Sequence, residues 1–261
     1  MELRAATELD LRHALGNNEL EVHYQPIVSA KDCSVSGYEA LLRWKHPVRG
    51  FVSPQIFIPI AEEIGAIMAI GEWVLRRACC DAASWRQPRD VSVNVSAVQL
   101  RSGNFVTTVI AAVAHSGIHP SRLILELTES ALIVDTAQIL VTLEEIKKLG
   151  VRISLDDFGT GYSSLSYLRK FPIDKVKIDK SFVDEVTGRE DCLAIIESII
   201  RLCDILDMTT VAEGVETRQQ LEMLAAIGCT EVQGYYIAKP KPLHELFESR
   251  LVDSDRLAKA A

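Results

Sequence analysis

Val151-Arg-Ile-Ser-Leu-Asp-Asp-Phe-Gly-Thr-Gly-Tyr-Ser-Ser-Leu165 ends an alternating apolar run in two adjacent carboxylates and follows them with a glycine-rich loop. The alternation over Val151–Leu155 has the period of a strand, and Gly159 and Gly161 permit a tight turn directly after it. Asp156 and Asp157 therefore fall at the carboxyl end of a strand. Neighbouring acids repel by several kcal/mol where the dielectric is low, so they require a cation, a shared proton or full solvation. A solvated Asp-Asp turn explains the dipeptide alone equally well, and the decision comes from the rest of the chain.

Outward from this stretch the pattern repeats. Strands are expected at Leu20–Ile27, Cys33–Trp44, Val91–Val95, Leu123–Leu127, Val151–Leu155, Lys175–Ile178, Thr209–Ala212 and Glu231–Tyr235, with helical segments between most of them. The helix after Asp135 carries a capping box with Gln138, an Ile139/Leu143/Ile146 stripe, Lys147-Lys148 in its last turn and a stop at Gly150. Another is capped by Thr217 with Gln220 and runs to Gly228. Between the first two strands lie about six small or polar residues, too few for a crossover helix, so those strands run antiparallel. Eight strands in 261 residues, six alternating with helices, fit one α/β barrel of the (β/α)8 type better than two domains. Residues 3–16 read as an amphipathic lead-in helix, giving boundaries of 1–19 for the lead-in, 20–250 for the barrel and 251–261 for a tail.

Composition narrows the class. Hydrophobic residues make up 48% of the chain, and 28 basic against 36 acidic side chains leave a net charge of −8 with no basic run longer than pairs such as Arg76-Arg77 and Lys147-Lys148. DNA, RNA and anionic membrane surfaces are disfavoured as partners. The six cysteines lack Cys-x-x-Cys spacing and are expected as buried thiols in a reducing cytoplasm. No apolar run approaches the length of a membrane span, and no amino-terminal signal pattern is present.

In a barrel of this kind chemistry sits at the carboxyl ends of the strands. The residues expected there are Glu39 and Arg43, Asn94 and Ser96, Glu126 with Thr128 and Glu129, Asp156-Asp157, Lys177 and Asp179, Glu213 and Glu216, and Gln233. Each alone is more often a helix cap or a solvated loop residue. Together, Glu39, Glu126, Asp156, Asp157 and Glu213 against Lys177 leave about −4 in a confined mouth, which is costly without divalent cations. Oxygen donors without histidine or cysteine favour Mg²⁺ or Mn²⁺ over zinc. Five carboxylates suggest two ions roughly 3.5–4 Å apart, an arrangement suited to attack of activated water on a phosphodiester.

Eight ordered segments carry a family likeness: Tyr24-Gln-Pro-Ile27, Glu39-Ala-Leu-Leu-Arg-Trp44, Asn94-Val-Ser96, Glu126-Leu-Thr-Glu129, Asp156-Asp-Phe-Gly-Thr-Gly161, Lys177-Ile-Asp179, Glu213-Gly-Val-Glu216 and Gln233-Gly-Tyr235. The chain from Leu20 to Leu246 resembles the EAL-domain family of bacterial cyclic di-GMP phosphodiesterases, with no departure at these positions. The resemblance implies a barrel whose first strand is antiparallel to the others. It also implies hydrolysis of cyclic di-GMP to linear pGpG with Mg²⁺ or Mn²⁺. Calcium should bind but support little turnover, since its looser, longer coordination positions the reacting oxygens poorly. Glu39, Asn94, Glu126 and Asp156 would hold one metal, with Asp156 bridging and Asp157 and Glu213 serving the second. Lys177 would meet the attacking water or the phosphate, and Gln25, Leu42, Arg43 and Gln233 the substrate. Glu129 would brace the loop Phe158–Leu165, including Phe158, Gly159, Thr160 and Gly161, which contributes to a homodimer contact, and Glu216 is a supporting residue. A sensory or GGDEF domain fused upstream is a further expectation. Two rival readings are a cyclic di-GMP receptor without turnover, distinguished by tight binding with no product, and enolase-type proton abstraction, which the Asp pair and Asn94 disfavour.

Overall fold

The computed structural model describes residues 2–133, 136–159 and 165–248. Ten strands share one sheet: β1 (Leu20–Ser29), β2 (Val35–His46), β3 (Gly50–Val52), β4 (Asp90–Asn94), β5 (Leu123–Thr128), β6 (Arg152–Phe158), β7 (Lys175–Ile178), β8 (Thr209–Ala212), β9 (Glu231–Val232) and β10 (Lys241–Pro242). Their order is β10-β1-β9-β8-β7-β6-β5-β4-β2-β3, and an additional β1–β2 pairing closes eight of them into a barrel. From β2 through β4 to β9 every neighbour is parallel, whereas β1 is antiparallel to β2, β9 and β10. The short β1–β2 connection thus does what its length dictates. It turns through Cys33, whose φ of +57° places that residue in a tight turn, not in an apolar segment.

Two strands escape the sequence pattern. β3 extends β2 as a hairpin, and β10 adds two residues to the outer edge of β1. β10 contains Pro242, tolerated because an edge position asks for no further donor. The eighth barrel strand is also shorter than expected, Glu231–Val232 in place of Glu231–Tyr235. Gly234 there passes so close to Val215 that a Cβ would lie 2.1 Å from the Val215 carbonyl oxygen, so the chain leaves the ladder to cross the β8 loop.

Helices cover the barrel with apolar stripes. Thr217 and Gln220 form the expected capping box on the helix Arg218–Ala226. The helix Thr136–Lys148 buries Ile139, Leu143 and Ile146 and ends before Gly150, whose φ of +89° suits only glycine; Asp135 lies outside the described residues. The helix Glu2–Ala14 packs beside Pro54–Glu63. It is tied to the β2–β3 turn by Arg49, which donates to Thr7 at 2.7 Å and Asp10 at 2.8 Å and lies 5.2 Å from the Trp44 ring. All six cysteines are free thiols; Cys79, Cys192, Cys203 and Cys229 are buried, Cys33 and Cys80 half-buried. Among the described residues no helix is long and apolar enough to cross a membrane.

The inside of the barrel is layered. Alternation along each strand puts Asn94, Glu126, Asp156 and Lys177 at the upper rim and Ser92, Ile124, Ser154 and Lys175 one pleat below. Ile124 and Val211 are buried yet stand outside the main apolar cluster. The lower layer is a floor, and the upper layer is the site.

Candidate active site

Seven strands, β2 and β4 to β9, deliver the upper ring, and Lys177 stands in its middle. Its ammonium lies 2.6 Å from Glu213 Oε1, 2.8 Å from Glu126 Oε2, 3.1 Å from Asp156 Oδ1 and 3.6 Å from Glu39 Oε2. The side chains of Lys177 and Glu126 are 1% and 0% exposed, so this is an ion-pair cluster removed from water. Glu39 is held on its other side by amides: Asn94 donates to Oε1 at 2.7 Å and Gln233 to Oε2 at 2.6 Å. Gln233 also donates to Gln25 Oε1 at 3.2 Å, and Gln25 is the register partner of Glu39 because β1 runs antiparallel beside β2.

Local backbone form explains the placement of the Asp pair. β6 and β7 lose register between Leu155 and Phe158, and Asp157 takes φ +55°, a left-handed conformation that Asp tolerates better than most residues. Asp156 therefore points into the ring while Asp157 is turned out and exposed, its amide donating to Asp156 Oδ1 at 3.0 Å. Even so, one oxygen each of Asp156, Asp157 and Glu213 lies within 4.8 Å of the others, close enough to share a cation. Glu213 follows β8 directly, its amide bonded to the Ile178 carbonyl at 3.0 Å, and Gln233 follows β9, its amide bonded to the Ala212 carbonyl at 2.9 Å.

Burial and charge set the protonation of this ring. Burial raises Glu213 to about 8 and Glu126 well above the usual carboxylate range; Lys177 opposes both shifts, while neighbouring carboxylates add to them. Burial also raises Asp157, with Asp156 adding to the shift. For Glu39 burial is outweighed by Lys177 and by the amides of Gln233 and Asn94, which hold it below the usual range. Burial would lower Lys177, but four acids raise it well above an ordinary lysine. One ammonium does not balance four ionised carboxylates, and in the absence of further cations Glu126 and Glu213 answer by holding protons.

Divalent cations fit this donor set. Glu126 Oε1 and Gln233 Oε1 are buried without a hydrogen-bond partner, two oxygen acceptors on residues of an oxygen-rich ring, the chemistry that Mg²⁺ and Mn²⁺ prefer.

Hollows flank the ring. One of about 470 Å³ is lined by Leu42, Arg43, Asn94, Ser96, Glu126 and Thr128; another of about 500 Å³ by Gln25, Glu39, Asp156, Lys177, Glu213 and Gln233. Leu42 and Arg43 therefore border the site, and Arg43, whose pKa burial lowers, donates to the Leu42 carbonyl at 3.0 Å. Glu129 is buried at the start of the helix Glu129–Ile133. Phe158 is buried at the end of β6, and Gly159 takes φ +102° under the Phe182 ring, where a Cβ would lie 2.7 Å from a ring carbon. Thr160 and Gly161 lie outside the described residues. Glu216 pairs with Lys180 at 2.6 Å at the rim of the second hollow.

Some strand-end residues have the plainer role. Asp179 accepts from the Ser181 amide as a helix cap, and Ser96 caps Ala97–Leu100 in a box with Gln99. Lys180 was not singled out by sequence reasoning, although it lines the same hollow as Lys177. Its signal is its place directly after Lys177-Ile-Asp179; in the fold its side chain lies against Gly214, where a Cβ would meet Lys180 Cγ at 2.3 Å.

A family model for the EAL domain matches residues 8–240. The chain belongs to the EAL-domain family. It is 43% identical over 244 residues to the bifunctional diguanylate cyclase/cyclic di-GMP phosphodiesterase MucR of Pseudomonas aeruginosa, covering 92% of this chain and 36% of that protein. The cyclic di-GMP phosphodiesterase NbdA of the same organism is 42% identical over 254 residues, covering 94% and 32%. Among solved structures, the MucR phosphodiesterase in complex with c-di-GMP superposes with a TM-score of 0.89 at 43% identity, covering 92% of this chain and 99% of that one. This EAL domain spans about a third of the length of the curated relatives it matches.

Proposed function

We propose that this EAL domain is a cyclic di-GMP phosphodiesterase that opens one phosphodiester bond to give linear pGpG. The observation that carries the reading is the meeting of Glu39, Asn94, Glu126, Asp156 and Glu213 around one buried point, with Asp157 beside it. MucR and NbdA, named for this activity, support it, as does the c-di-GMP complex of the MucR domain.

Glu39, Asn94, Glu126 and Asp156 would hold one divalent cation, and Asp156, Asp157 and Glu213 a second, Mg²⁺ or Mn²⁺. Bound there, such ions supply positive charge that polarises water and phosphate for in-line displacement. The chain's own residues do the rest. Gln233 and Asn94 fix both oxygens of Glu39, so its carboxylate cannot rotate. Lys177 presents a permanent cation at the ring, offsetting negative charge that grows on the phosphate during attack. Arg43, a planar fork at the edge of the adjoining hollow, suits a phosphate oxygen, with Leu42, Gln25 and Gln233 lining the rest of the substrate's path. Glu129 would brace the segment that follows Phe158 and Asp157, and Glu216 holds Lys180 at the rim. A homodimer through that loop, cytoplasmic placement and calcium as a binding but non-supporting ion complete the reading.

Chromatography of the nucleotide products tests it. Protein incubated with cyclic di-GMP and Mg²⁺ or Mn²⁺ should yield pGpG, and intact binding with no product from either metal would overturn the assignment in favour of a receptor.

A further inference from the structure

Below the ring the barrel holds a second ion pair. Lys175 and Glu231 are 4% and 9% exposed, and their charged atoms lie 2.5 Å apart. The pair bridges β7 and β9 across the interior, passing over β8, whose Val211 is the register partner of both Lys177 and Glu231. Their surroundings are partly polar: Ser154, in register with Lys175, and Ser92 are buried with hydroxyls that have no hydrogen-bond partner.

Each partner sits two residues before a member of the ring and on the same face of its strand. Lys175 precedes Lys177; Glu231 precedes Gln233. Lys177 and Gln233 both converge on one atom, Glu39 Oε2, at 3.6 and 2.6 Å. A slide of β9 against β7 would therefore move both donors relative to Glu39. β9 is two residues long, bonded to β1 at Val28 and Ser29 and to β8 at Val211 and Ala212, so its backbone ladder resists such a slide weakly.

Stability does not require ions at this position, since well-packed apolar residues replace a buried pair at little or no cost. What an ion pair adds is a directional tie with one preferred geometry. We propose that Lys175 and Glu231 are a positioning pair, a strut beneath the ring that sets the approach of Lys177 and Gln233 to Glu39 and through it the affinity for divalent cations. The inference rests on reading Glu39 as a metal ligand.

The test is calorimetric titration of Mn²⁺ into the full chain, with melting followed in parallel. Removing one partner alone strands a buried charge and endangers folding, so the primary variant is the double substitution Lys175→Met with Glu231→Gln. It should melt near the wild type but bind Mn²⁺ about tenfold more weakly, the lower end of what partners behind metal ligands usually contribute. The reversed pair, Lys175→Glu with Glu231→Lys, should recover most of the lost affinity. Unchanged Mn²⁺ affinity in the double variant would overturn the strut and leave the ring assignment standing. Wild-type protein that shows no saturable Mn²⁺ binding, or a Glu39→Ala variant that binds as well as wild type, would instead refute the ring.

Discussion

Lys177 Nζ donates to Glu126 Oε2 at 2.8 Å with both side chains sealed from solvent. A pair buried this deeply contributes little net stability while intact, but loss of one partner leaves an uncompensated charge that costs about 3–5 kcal/mol. Here the loss is one-sided, because the same ammonium also faces Glu39, Asp156 and Glu213.

Lys177→Met should therefore melt well below the wild type in chelator, by ~10 °C if about 2–4 °C accompany each kcal/mol. Saturating Mg²⁺ should return a large part of that difference, because cations replace the missing charge. Scanning calorimetry with and without Mg²⁺ checks both halves, and a variant equally stable in chelator would mean the acids are solvated.

A pH dependence follows from the raised carboxyls. Glu213, at about 8, and Glu126 hold protons in the folded chain at pH values where the unfolded chain, with an ordinary carboxylate, has released them. The unfolded state then binds fewer protons, and stability falls as pH rises from about 5 to 8. Glu39 shifts downward and acts at lower pH: the stability it contributes is present above the ordinary carboxylate range and is lost on acidification. Metal-free melting temperature should thus decline by several degrees between pH 5 and 8, and Mg²⁺ should flatten that slope by stabilising the ionised forms. Melts in buffered chelator across this range decide it; a rising metal-free curve would contradict the protonation assigned to Glu213.

Asp156→Asn keeps the shape of the side chain and removes one negative charge from the ring. Metal-free stability should be equal or higher, since Asp156 helps to raise both Glu126 and Glu213 and its loss eases their ionisation in the folded chain. Turnover should fall by more than the ~10–100-fold typical of residues behind the ligands. Initial rates at saturating Mn²⁺, beside a melting curve, separate loss of chemistry from loss of fold.

Gly234→Ala would drive a methyl group into the Val215 backbone, which has no rotamer with which to yield. Overpacking of this kind costs roughly 1–3 kcal/mol. The displacement also passes to Gln233, so Glu39 loses a donor and Mn²⁺ affinity should weaken. Unaltered melting and affinity would show that the β8 and β9 loops separate freely.

Much of this geometry is legible in the residues. The Asp156-Asp157 strand end, the antiparallel start and the convergence of acids follow from alternation, connection length and the placement of charges at strand ends. Caps are less legible: Asp179 and Ser96 occupy the same pattern positions as Lys177 and Asn94, and only the local backbone distinguishes a side chain that turns back to an amide from one that points to the axis. β3 and β10 are too short to leave a periodicity. That Lys177 reaches four carboxylates, and that Lys175 meets Glu231 across β8, depends on barrel closure and shear, which no local pattern encodes.

The central claim is that the ring's carboxylates grip two divalent cations and that hydrolysis depends on those ions. The most direct measurement counts Mn²⁺ bound per chain at increasing free Mn²⁺ while recording, on the same sample, the initial rate of pGpG formation from cyclic di-GMP. The rate should climb with occupancy and level off at two ions per chain, with neither saturable Mn²⁺ nor product in Glu39→Ala. Undiminished pGpG formation in excess chelator, or full Mn²⁺ occupancy with no product, would contradict it.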